Sequence, residues 1–151
     1  MSEHVAKIRW HRSTQDFRYE TYDRSHTVTF GGGSTLQASS APEFKGRAEL
    51  ANPEEMLVAA LSSCHMLTFL AIAARKRLVV DAYEDDAVGF MTNNAEGKLY
   101  ISRVILQPRV GFAGSVDAEQ VRSMHELAHR ECFIASSVVT SVEVEAAGGV
   151  A

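Results

Sequence analysis

Aromatic and β-branched residues interleaved with polar ones mark residues 17–22, 26–30 and 35–37, a pattern that predicts three strands of a meander. Gly31, Gly32, Gly33 and Ser34 supply the turn between the last two. Residues 38–51 follow neither period, so a long loop is expected there. The pattern then changes abruptly. Asn52 can accept from the first free amides of a helix, Pro53 suits the first turn, and Glu55 stands three positions past the cap, which predicts a helix over residues 53–77. From Met56 to Ala74 that segment is apolar nearly all round, the pattern of a helix buried on most sides. Ser62, Ser63, His65 and Thr68 interrupt it, which favours a central core helix over a membrane span. Arg75, Lys76 and Arg77 suit the negative end of its dipole. Strand patterns return over 78–83, 86–91 and 99–106, with residues 93–98 as the turn of a long hairpin. A second helix is expected from Asp117, with Gln120 as its capping partner, to about Cys132. Residues 137–145 alternate into a last strand, and Gly148 and Gly149 fray from its end. Strands, buried helix, strands, helix, strand is the order of an α+β fold with a largely antiparallel sheet.

A chain of 151 residues is expected to form a single domain spanning 1–151. Lys and Arg number 15 against 19 Asp and Glu, a net charge of −4 that disfavours nucleic acid or an anionic membrane as partner. The first residues lack the basic start and apolar run of a signal sequence, so a cytoplasmic protein is expected. The two cysteines, Cys64 and Cys132, lie 68 positions apart with no Cys-x-x-Cys spacing, which excludes a zinc finger and a disulfide-dense secreted scaffold.

Several residues are candidates for chemistry. Cys64 falls in the apolar helix, where burial raises a thiol pKa unless a cation opposes it, and a small core residue is the alternative. Cys132 stands near the C-terminal end of the second helix, where the dipole disfavours a thiolate, so it is the poorer nucleophile and a plausible resolving partner. Glu54 lies ten residues before Cys64, about 15 Å along the axis and turned about 80° away, so it does not reach the thiol through its own helix. It is a dipole-satisfying carboxylate unless an arginine or a second subunit bridges the gap. Arg24 and His26 share a strand face that Arg18 could join from the preceding strand, either as a cationic patch or as solvated side chains. His125, His129 and Cys132 form H-x-x-x-H-x-x-C on one helix face, a metal-ligand arrangement that rivals the redox reading. A third reading makes both cysteines core residues of a non-catalytic module for an apolar ligand. Neither a phosphate-binding glycine loop nor a G-x-S-x-G elbow occurs in the sequence.

Asn52-Pro53-Glu54-Glu55-Met56-Leu57 followed by Ala59-Ala60-Leu61-Ser62-Ser63-Cys64-His65-Met66 resembles the signature of the OsmC/Ohr family of peroxide-detoxifying proteins. The resemblance implies antiparallel sheets around a long central helix, a second helix, and an intertwined homodimer with two sites at its interface. It implies that Cys64 is peroxidatic, that Cys132 resolves it, and that Glu54 orients an arginine beside the thiol. Tyr22-Asp23-Arg24-Ser25-His26 best matches the family's arginine-bearing stretch, which selects Arg24 with Arg18 in reserve. The implied activity is reduction of organic hydroperoxides, with an external dithiol as reductant and no cofactor. Two departures mark a different branch: Phe133 rather than proline follows Cys132, and His65 follows Cys64 where an aromatic is common.

Overall fold

The computed structural model describes residues 1–147; the expectation for Gly148 and Gly149 lies outside the described residues. Two compact units divide the chain, Met1–Met56 and Leu57–Ala151.

The first unit is a three-stranded antiparallel sheet in the order β1 (Ala6–Arg9), β2 (His26–Phe30), β3 (Thr35–Ala38). Ala6 stands opposite Phe30 and His26 opposite Ala38. The expected strand over residues 17–22 is a turn, with the amides of Thr21 and Tyr22 both donating to the Arg18 carbonyl. Its aromatic residues pack on each other instead: Phe17 and Tyr22 lie 5.1 Å apart and Trp10 stands 5.8 Å from Phe17. The long loop is organised by a 3-10 turn, Pro42–Phe44, and by a bridge between Ala38 and Ala51. Gly46 is required there, since a Cβ would fall 1.5 Å from the Ser40 carbonyl oxygen.

Helix α1 (Pro53–Arg75) begins with the reciprocal cap that the sequence predicts. The Glu55 amide donates to Asn52 Oδ1 at 2.8 Å, and the Asn52 amide to Glu55 Oε2 at 3.2 Å. The helix stops two residues short of the expected end. Arg77 takes a left-handed conformation (φ 61°) and the Leu78 amide reaches back to the Ala73 carbonyl, closing a Schellman turn with arginine where glycine is usual.

In the second unit β4 (Val80–Asp85) pairs antiparallel with β7 (Pro108–Phe112), while β5 (Val88–Asn93) and β6 (Leu99–Leu106) form the expected hairpin. Helix α2 (Ala118–Glu131) follows, capped by Asp117, which accepts from the Gln120 amide. Strand β8 (Ser141–Val144) returns parallel to β6, the one parallel pairing among the described strands. The last strand is shorter than expected, because residues 135–137 form a 3-10 turn. Phe69, Ile72 and Ala73 of α1 pack with Val110 of β7 and with Met124 and Ala128 of α2. A second cluster joins Leu61 of α1 to Val104 and Leu106 of β6. Complete burial of such side chains stabilises the unit by roughly 1.5–3 kcal/mol each. Gly89 lets β5 approach α1, since a Cβ would meet Val58 Cγ2 at 2.6 Å. The buried positions of α1 trace one face, Leu61, His65, Phe69, Ile72 and Ala73, and in the single chain Ser63, Leu67 and Ala71 are exposed. By length and apolarity α1 would also cross a bilayer, but that buried face is committed to protein.

Candidate functional site

The geometry of α1 and α2 brings the two cysteines together. Cys64 lies past the middle of α1 and Cys132 is the C-cap residue of α2, where the backbone leaves the helix in an extended conformation. Both are free thiols, and each acts on the acidity of the other. The turn after α2 fixes Cys132: the Ala135 amide donates to its Sγ at 3.4 Å, and the amide and hydroxyl of Ser136 both donate to its carbonyl at 3.1 Å.

The two thiols are driven in opposite directions. Burial is the largest influence on Cys64 and opposes its thiolate, but the Cys132 thiol and the backbone amides of Ile134 and Phe133 together outweigh it and hold Cys64 below the ordinary thiol value. The Cys132 thiol is pushed up by burial and by the adjacent Cys64. The apolar setting therefore does not leave Cys64 inert, because donors from the segment after α2 supply what burial removes. Access follows the same asymmetry: Cys64 is partly exposed and Cys132 is 1% exposed.

In the first unit Arg24 is 9% exposed rather than solvated. Its Nη1 donates to the Tyr22 carbonyl at 2.8 Å and its Nη2 to the Tyr19 carbonyl at 2.6 Å. The guanidinium carbon sits 3.9 Å from the centre of the Tyr22 ring. Arg24 also lines a hollow of about 410 Å³ with Ile8, Trp10, Phe17, Tyr22 and His26. Arg18 does not join it, since it lies in the turn and pairs with Asp16 at 2.8 Å on the exposed surface. Glu54 makes no ion pair with Arg24 among the described residues, and its Oε2 is buried without a hydrogen-bond partner.

The metal arrangement fails on geometry. Among the described residues no group of three or more His, Cys, Asp or Glu stands together as metal ligands. His125 is turned to His65, its Nδ1 lying 3.0 Å from His65 Nε2, while Cys132 has left the helix for Cys64.

That imidazole pair is the feature sequence reasoning missed. His65 is 1% and His125 4% exposed, their rings are coplanar within 3°, and Phe69 stacks on His125 at 4.2 Å. Burial, with the neighbouring imidazoles His125 and His129 behind it, lowers His65 to about 4; burial alone lowers His125 to about 4. Both rings are therefore neutral. Nearby, Asp85 accepts from the Ser62 hydroxyl and from the Gln107 amide, tying the joint between β4 and β7 to α1. The polar interruptions Ser62 and His65, three apart in an apolar helix, were the available signal.

A family model described as OsmC-like protein matches residues 46–147. The uncharacterized protein YmaD of Bacillus subtilis (strain 168) is 26% identical over 127 residues, 82% of this chain and 84% of that protein. An OsmC-like protein of unknown function from Vibrio cholerae O1 biovar eltor is 44% identical, with a TM-score of 0.90 over 97% of this chain and all of that one. An organic hydroperoxide resistance protein from Elizabethkingia anophelis is 16% identical, with a TM-score of 0.72 over the whole chain and 98% of that one, and shows the shared fold.

Proposed function

Because the chain belongs to the OsmC-like family, we propose that it is a cysteine-based peroxidase that reduces organic hydroperoxides through Cys64 and Cys132. The observation that carries this reading is that the two thiols shift each other's acidity in opposite directions, the more acidic one partly exposed and the less acidic one buried. The Cys64 thiolate attacks the distal oxygen of ROOH, the O–O bond breaks, and RO⁻ leaves to take a proton as ROH. The Cys64 sulfenic acid then condenses with the Cys132 thiol, forming the S–S bond and releasing water. An external dithiol returns both cysteines to thiols and is itself oxidised to a disulfide. An apolar approach to Cys64 would favour alkyl over hydrogen peroxide by roughly 0.8 kcal/mol for each methylene buried.

The roles of Arg24 and Glu54 rest on the family resemblance. A buried carboxylate oxygen without a partner, as in Glu54, calls for a cation, and Arg24 is a buried guanidinium held by two carbonyls with donors to spare. A homodimer belongs to the same reading and is supported by the exposed apolar stripe of α1, on which Leu67 is 59% exposed. A reducing cytoplasm would keep both thiols ready.

Intact mass after one equivalent of cumene hydroperoxide tests the reading. A loss of two hydrogens is expected, faster than with hydrogen peroxide and absent in Cys64→Ser, while Cys132→Ser stops at a sulfenic acid that dimedone traps. Arg24→Met should slow the oxidation about a hundredfold. An unchanged mass in the native protein, with both thiols titrating only after unfolding, overturns it.

A further inference from the structure

A hollow of the second unit, about 890 Å³, takes no part in the thiol chemistry and is not lined by Cys64. Val110 and Phe112 of β7, Val116, and Val121 of α2 give it apolar walls, and His125 and His129 stand on the same wall one helical turn apart. His125 Nε2 and His129 Nδ1 are both buried without a hydrogen-bond partner among the described residues. For His125 this open position is tied to the rest of the core. Its Nδ1 is engaged with His65 Nε2, and in a pair of neutral imidazoles one ring donates while the other accepts. When His65 donates, His125 carries its proton on Nε2 and offers a donor to the hollow. When His65 accepts, Nε2 offers a lone pair. The proton shared by the pair thus decides which hydrogen-bonding partner the wall wants, and a head group that both donates and accepts satisfies either tautomer.

Charge narrows the choice. Arg122, the one Lys or Arg among the described residues lining the hollow, is ion-paired to Glu119, and the carboxylate of Glu126 lines it as well. An anionic head would meet no free cation there. We propose that this hollow is a binding site for an uncharged small molecule with an apolar body and a single hydroxyl, an aliphatic or alicyclic alcohol, hydrogen-bonded to His125 Nε2 and His129 Nδ1. Neutrality of His125 at physiological pH, imposed by burial, agrees with an uncharged head. Binding also gives His125 Nε2 a partner and so acts on His65 through the shared proton, which makes occupancy legible in the core.

Titration of the full chain, labelled with ¹⁵N-histidine, with cyclohexanol tests this by NMR. Saturable shifts are expected at His125 and His129, with a smaller change at His65 relayed through the shared proton. Methylcyclohexane, equal in shape but lacking the hydroxyl, should bind about tenfold more weakly. Val121→Trp should fill the hollow and abolish the response; if that variant does not fold, His129→Phe should weaken cyclohexanol relative to methylcyclohexane. Equal affinity for the two compounds, tighter binding of cyclohexanecarboxylate, or shifts that never saturate would each overturn the proposal.

Discussion

Burial of two neutral imidazoles makes stability depend on pH in a window that lies mostly above the carboxylate range. His65 and His125 each fall from 6.5 to about 4 on folding, so below pH 6.5 the unfolded chain takes up protons that the folded chain refuses. With the unfolded state binding more protons, stability rises with pH across the window and is lost as pH falls through it. At pH 5 the two-state linkage expression gives about 2 kcal/mol for each imidazole, or about 4 kcal/mol for the pair relative to pH 8. Near pH 5.5 the slope should reach about 2.4 kcal/mol per pH unit, close to two protons. Asp85 acts on His65 in the opposite direction and His129 in the same one. Both remain in His65→Leu/His125→Leu, so the difference between the two proteins isolates the pair. Urea unfolding at fixed protein concentration, from pH 5 to 8, is the assay. The double variant should lose nearly the whole slope while staying close to the native stability at pH 8, because both partners of the hydrogen bond are replaced by apolar groups together. A native curve that is flat across the window, or a double variant with an unchanged slope, would refute the reasoning.

Three further predictions concern single positions. Iodoacetamide should modify Cys64 well before Cys132 in the native protein, with a rate that levels off below the pH of an ordinary thiol, as peptide mapping would show. Arg77→Gly should stabilise the protein by about 1 kcal/mol in urea unfolding, since it removes a side chain from a left-handed backbone. Asn52→Ala should cost about 1 kcal/mol in the same assay through loss of the cap on α1.

Both helices and the β5–β6 hairpin are legible in the sequence because each combines a long period with explicit start and stop residues. Strand β1 is not, although Ile8 and Trp10 alternate with Lys7 and Arg9; it is a short edge strand, exposed along its whole length, and its pattern spans only a few residues. The turn at residues 17–22 imitates a strand because its aromatic residues are spaced for packing on Trp10 and on one another. Pro108 hides β7 by following β6 almost without a gap. In the site, the cysteines stand out by rarity and by their surrounding motif. The His65–His125 contact joins residues 60 positions apart, and no local pattern records a partner at that distance.

The parallel pairing of β8 with β6 has a bearing on how the chain is made. On the ribosome β6 emerges with β5 and can close its hairpin at once, whereas β7, α2 and the following turn must all be synthesised before β8 exists. Until then the β6 edge that will carry β8 stays open, and Val142 and Val144 are missing from their places against Leu61, Val104 and Leu106. A nascent chain paused after α2 would therefore carry an apolar sheet edge available to any passing strand, and a chaperone engaged at that stage would be shielding a gap that the native chain later fills with its own residues.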